Sequence, residues 1–208
     1  MWKDHGRILE TAKSRKFLHF GDWDGDGLCD VLYVDRSTGN VDMWKNTYKS
    51  GQTSPTFASA VRVASGGLCP QNFSPGLTDL AVRFGDLDGD GRVDYLCMDP
   101  DGRTRGWLNK DGGLEAMSPN QIKVSVGYDR ANHRWADVNG DGKVDFLWID
   151  KHTGNVQTWI NGGIQPALDS SMYWDQQKDI WMAGAERGQN IHFPKLASCT
   201  LSSFRAFH

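Results

Sequence analysis

This chain has no long apolar run: nothing in its 208 residues approaches the roughly 18–20 apolar residues of a membrane-spanning helix, so no membrane span is expected. The N-terminus, Met1 to Glu10, is mostly polar and has no apolar segment of the kind that opens a secretory signal. Charge of one sign is also scarce. The formal net charge is −3, and no basic stripe interleaved with aromatics occurs, which argues against nucleic acid as a partner. Cysteine is limited to Cys29, Cys69, Cys97 and Cys199, and no CxxC spacing supports zinc. Catalytic constellations are lacking too. His5, His152 and His208 are scattered, and Ser170-Ser171 and Ser202-Ser203 stand in no nucleophile-elbow setting.

What the chain does have is glycine, tryptophan and acid: 24 Gly, 9 Trp, and aspartates concentrated in three copies of one pattern. The copies are Asp22-Trp23-Asp24-Gly25-Asp26-Gly27-Leu28-Cys29-Asp30, Asp86-Leu87-Asp88-Gly89-Asp90-Gly91-Arg92-Val93-Asp94 and Asp137-Val138-Asn139-Gly140-Asp141-Gly142-Lys143-Val144-Asp145. Oxygen side chains at positions 1, 3, 5 and 9 of a short Gly-containing loop suit Ca2+, a hard cation that takes six to eight oxygens. Position 7, which is Leu28, Arg92 or Lys143, would offer its backbone carbonyl, leaving its side chain free to vary. Position 9, which is Asp30, Asp94 or Asp145, would close the site as a bidentate ligand. About three ions are expected.

An EF-hand would need a Glu at position 12 between two helices. Position 12 is instead Tyr33, Cys97 and Trp148, and the runs that follow the loops are β-branched and aromatic: Val31-Leu32-Tyr33-Val34, Tyr95-Leu96-Cys97-Met98, Phe146-Leu147-Trp148-Ile149. Such runs between turn residues read as buried strands. Two residues ahead of each loop stand Phe20, Phe84 and Trp135, preceded by His19, Arg83 and Arg134. Downstream come Asp35, Asp99 and Asp150, each opening a Gly-containing turn, and then Trp44-Lys45-Asn46, Trp107-Leu108-Asn109 and Trp159-Ile160-Asn161. A hairpin fits this spacing. A fourth strand is expected ahead of each aromatic, at Gly6–Leu9, Gln121–Val126 and Ile180–Ala183.

Loop-to-loop spacings of 64 and 51 residues, filled by about four short strands, indicate propeller blades or a related β array. With these residues in view, the chain resembles the FG-GAP family, also described as VCBS repeats, in which each β-propeller blade carries a calcium loop. Phe84–Asp94 and Trp135–Asp145 carry the resemblance most closely. It implies an all-β fold of about three four-stranded blades plus partial ones. The repeat region would be residues 1–195 (units at about 1–50, 57–113, 120–163 and a partial 172–195), followed by a divergent tail at 196–208. At Ile191-His192-Phe193 a fourth unit begins, but Pro194–Ser198 supplies no carboxylate. An incomplete propeller, part of a longer chain, is the expectation.

Similar blades occur in integrin α-subunit heads, lectins and accessory regions of secreted microbial and fungal enzymes. The resemblance therefore implies a secreted, calcium-binding, non-enzymatic module that recognises a glycan or an extracellular protein. The alternative is the accessory region of a secreted hydrolase whose catalytic domain lies elsewhere. Further blades or that catalytic domain would be its covalent partners. A bridge from Cys69 to Cys29 or to Cys97 would pin the Pro-rich insert beginning at Gly66, while unpaired buried thiols are the rival. His19, His133 and His192, recurring near one place, favour a structural role. The Trp-x-Asn tryptophans read as core between blades, and Trp23, at a loop tip, is the candidate to face a ligand, though packing is equally open to it.

Overall fold

The computed structural model describes residues 4–69, 79–111, 113–165, 171–177 and 182–184. Expectations at Ile180, Ile191–Phe193, Pro194–Ser198, Cys199 and the 196–208 tail fall outside them. The fold is all-β. Three four-stranded antiparallel sheets follow one another along the chain. The first contains β1 (Leu18–Gly21), β2 (Asp30–Val34), β3 (Val41–Trp44) and β4 (Val61–Ala64). The second contains β5 (Val82–Gly85), β6 (Asp94–Met98), β7 (Thr104–Lys110) and β8 (Gly113–Lys123). The third contains β9 (His133–Ala136), β10 (Asp145–Ile149), β11 (Val156–Gln165) and β12 (Ser171–Gln176). Each sheet is an up-and-down meander in chain order, the form of a propeller blade. Among the described residues no helix is long and apolar enough to cross a membrane.

The acidic loop links the first two strands of every blade, and its position 9 opens the second strand. Register is fixed accordingly: Gly21 pairs with Asp30, Gly85 with Asp94 and Ala136 with Asp145. The second hairpin turns through Gly39 (φ 74°), Gly102 (φ 84°) and Gly154 (φ 75°), where a left-handed backbone makes glycine the residue of lowest cost. Position −2 and the Trp of Trp-x-Asn then land on one face of the sheet, so that Tyr95 pairs with Phe84 and Trp107, and Phe146 with Trp135 and Trp159.

The fourth strand is where the structure departs from the sequence reading. It follows the Trp-x-Asn strand, as β4, β8 and β12, and the aromatic itself sits in the first strand. Gly6–Leu9 is not a strand. Gln121–Lys123 belongs to β8, the last strand of the second blade. Of the third candidate, Met182 forms only an isolated bridge to Val156.

Blades stack face to face over two aromatic cores. Between the first and second lie Trp23, Leu32, Val34, Val41, Phe84, Tyr95 and Trp107, and between the second and third lie Leu87, Leu96, Met98, Trp135, Phe146 and Trp159. Phe84 meets Trp23 and Tyr95 edge-on, and Tyr95 meets Trp107 likewise at 5.6 Å, the geometry that aromatic quadrupoles favour. Trp23, only 7% exposed, is therefore part of the core between blades, not a ligand platform. Trp107 and Trp159 are core as expected. His133 is fully buried, stacks on Phe146 and lies 3.2 Å from the Leu147 carbonyl, a packing role. Cys69 is bridged to Cys97, with Cα atoms 5.6 Å apart, which ties the insert to β6.

Candidate metal centre: the three acidic loops

Each loop is organised by its two end carboxylates. At position 1, Asp22 Oδ1 accepts the Gly25 and Asp26 N–H groups and Oδ2 that of Gly27 (2.8, 3.2 and 2.7 Å). Asp86 accepts from Gly89 and Gly91, and Asp137 from Gly140 and Gly142. At position 9 both oxygens are engaged, one by the N–H of loop position 2 and the other by the N–H of the Trp-x-Asn asparagine. Asp30 thus joins Trp23 to Asn46 (3.1 and 2.7 Å), Asp94 joins Leu87 to Asn109 (2.7 and 2.8 Å), and Asp145 joins Val138 to Asn161 (2.9 and 2.9 Å). All three are fully buried. A carboxylate has about four lone-pair sites, so each oxygen that accepts one N–H keeps capacity for a cation.

Position 5 folds onto the loop's own backbone: Asp26, Asp90 and Asp141 accept the N–H groups of Leu28, Arg92 and Lys143. Positions 3 and 5 also meet a lysine. Lys45, from Trp-Lys-Asn, donates to Asp24 and to Asp26 (3.0 Å to the latter), and Lys110 donates to Asp88 (2.5 Å) and Asp90 (2.7 Å). In the third loop Lys143, from position 7 itself, pairs with Asp141 at 3.0 Å, and Asn139 donates to Asp141 at 3.2 Å.

The electrostatics are those of anions held in excess. Burial raises the Asp30 carboxyl to about 6 and that of Asp94 to about 8, against the N–H bonds that each accepts; Asp22, Asp86 and Asp145 are raised for the same reason. Hydrogen bonds to Asp24 and Asp26 hold the Lys45 ammonium above its ordinary range. Burial works against the Lys110 ammonium, but its bonds to Asp88 and Asp90 prevail and raise it as well.

In the first loop Asp22, Asp24 and Asp30 bring carboxylate oxygens within 4.8 Å of one another, and in the second Asp86, Asp88 and Asp94 do the same. One oxygen in each group, Asp24 Oδ1 and Asp88 Oδ1, is buried and has no hydrogen-bond partner. A buried carboxylate oxygen without a donor is costly, and a cation supplies what is missing. These residues fit a divalent ion. The third loop, with Asn139 at position 3, carries one carboxylate fewer.

Position 7 does more than offer a carbonyl. A Cβ on Gly25 would lie 3.0 Å from Arg92 Nε, and one on Gly89 would lie 3.3 Å from Lys143 Cγ. The basic side chain of each following loop thus lies against the preceding acidic one. Leu28, in the first loop, has no such acidic neighbour among the described residues. The loops are joined through the backbone too. Val93 N donates to Asp22 O (2.8 Å) and Val144 N to Asp86 O (2.7 Å), while Asn109 Nδ2 reaches Trp23 O (2.6 Å) and Asn161 Nδ2 reaches Leu87 O (2.9 Å).

A model of the FG-GAP-like repeat matches this sequence at residues 22–97 and 86–148, which together cover more than half of it. No curated protein sequence matches. Among solved structures, a chain of the Photorhabdus luminescens Tc holotoxin pore is similar over 83% of this chain at 18% identity, with a TM-score of 0.47. The present chain spans 7% of the length of that one.

Proposed function

The chain belongs to the FG-GAP-like repeat family, and from that premise we propose that it is a calcium-stabilised, non-enzymatic recognition module. Calcium would be held in each loop by positions 1, 3, 5 and 9, with the carbonyl of position 7 as a further oxygen. When bound, the ion supplies positive charge that neutralises the loop carboxylates and ties the first two strands of a blade to the start of the next. The observation that carries this reading is the buried, donor-less oxygen of Asp24 and of Asp88, each within a tight group of carboxylates.

A recognition role is supported by what the loops and faces contain. The loop carboxylates are engaged by backbone N–H groups and lysines or face the oxygen cluster, and among the described residues no pair of buried acidic side chains stands apart from the loops. The Cys69–Cys97 disulfide supports an extracellular or otherwise oxidising setting. The partner we propose is a glycan or an extracellular protein, recognised on exposed blade surface. The test is binding to a glycan array and to a panel of extracellular proteins, with and without chelator. Ligand capture that disappears on calcium removal and returns on readdition supports the module. Turnover of a captured ligand, or capture indifferent to calcium, contradicts it.

A further inference from the structure

The position three residues ahead of each loop is His19, Arg83 or Arg134, and the calcium reading does not use it. The first strands of neighbouring blades, β1 with β5 and β5 with β9, lie against one another. These side chains therefore gather along one edge of the stack. There they line a cavity of about 270 Å³ together with Arg15, Lys16 and two leucines. Five of its seven lining residues are basic or imidazole, and none is acidic.

Three of these side chains, Arg15, Lys16 and Arg134, keep donors uncommitted among the described residues. Arg130, just beyond, is taken up by Asp79 (2.7 Å) and the Met98 carbonyl (3.1 Å). Arg134 spends Nη1 on the carbonyls of Ala131 and His133, while its Nε and Nη2 bond to nothing among the described residues. Arg15 and Lys16 make no ion pair among the described residues. Arg83 donates Nη1 to the Val82 carbonyl (3.4 Å), and burial together with the like charges of Arg134 and Arg130, opposed by Asp79, pushes its guanidinium down to about 9. An oxyanion in the cavity would offset the like charges of Arg83 and Arg134 and take up the uncommitted donors.

We infer that this cavity, at the first-strand edge where Arg15, Lys16, Arg83 and Arg134 converge, is a binding site for a small tetrahedral oxyanion: a sulfate or phosphate monoester. Guanidinium groups present several N–H donors in a fixed fork that matches such an anion, and the charge-assisted bonds are about twice as strong as neutral ones. The site is separate from the acidic loops, and its test does not depend on their metal.

Isothermal titration of the full chain in chloride buffer with calcium present uses sodium sulfate as the probe, because sulfate leaves calcium in solution. One saturable site is expected. Arg134→Gln should weaken binding roughly tenfold or more, as loss of a charge-assisted hydrogen bond does. Arg15→Gln, on an exposed turn where folding is not at stake, should weaken it severalfold. Arg62→Gln, whose guanidinium is paired with Asp42 on another strand, should leave it unchanged. Glucose 6-phosphate and glucose 6-sulfate, titrated in parallel, tell which ester is taken. Binding of either by the native chain that Arg134→Gln weakens supports the site. No saturable binding of any of the three, or equal binding by both variants and the native chain, overturns it.

Discussion

Asn161→Ala is the sharpest probe of how the blades are joined. The Asn161 side chain is 1% exposed. Its Nδ2 donates to Leu87 O of the preceding loop and to Val144 O of its own (2.9 and 3.1 Å), and its Oδ1 accepts the Gly163 N–H (2.9 Å). Truncation leaves two buried carbonyls without this donor, each such group costing about 1–3 kcal/mol, so a total loss of about 2–6 kcal/mol is expected. Asn46 stands at the same repeat position, but among the described residues its Nδ2 reaches only Cys29 O, within its own blade, and its Oδ1 accepts Tyr48 N–H. Asn46→Ala should therefore cost about 1–2 kcal/mol less than Asn161→Ala, the worth of the missing contact between blades. Urea unfolding at fixed free calcium, with unchanged m-values, measures both. If Asn46→Ala proves as costly as Asn161→Ala, the side chain does not couple blades and the reasoning fails.

Other expectations are as specific. Lys110→Met removes the ammonium held by Asp88 and Asp90; calcium should bind the second loop on the order of tenfold more tightly, since one positive charge no longer opposes the ion, and the chelated protein should melt lower. Competitive titration against a calcium dye reads the first effect. Lys123 is buried over the Phe146 and Trp159 rings, and burial lowers its ammonium to about 8. Between that value and the unfolded value near ~10.4 the unfolded chain binds more protons, so this group makes stability rise with pH across the window and lowers it below pH 8. Lys123→Met should remove that slope and raise stability at pH 7 by about 1 kcal/mol after loss of the cation–π contacts, as read by urea unfolding at several pH values. Gly85→Ala would set a Cβ 2.7 Å from Val144 Cγ1 across the blade interface, at a cost of about 1–3 kcal/mol that Val144→Ala should partly relieve.

Much of each blade could be read directly from its residues. The acidic loop, the β-branched strand after it, the Gly turn and the Trp-x-Asn strand are local signals, and each stands where its spacing placed it. The outer strand was misplaced because β4 and β8 carry little apolar patterning. Val61 is exposed, Arg62 pairs with Asp42, and β8 runs Gly113–Lys123 through Pro119 with only Met117, Ile122 and Lys123 buried. Gly6–Leu9, more apolar in pattern, competed for the role. The loop geometry was legible in its oxygens but not in its cations. Lys45 and Lys110 lie 19 and 20 residues beyond the position-5 aspartates they meet, and only the hairpin return brings them there. Position 7 held an overlooked signal, being basic in the second and third loops, the two with an acidic loop stacked before them. Trp23 misled because a loop tip in one blade is interior once the next blade is packed against it.

Calcium stoichiometry of the chelator-stripped full chain, measured by titration calorimetry with magnesium as the competing cation, tests the central claim most directly. The account predicts about three calcium ions per chain, bound in preference to magnesium, with the third loop weakest because Asn139 replaces a carboxylate. Fewer than two ions, or a heat profile that magnesium reproduces, would contradict it.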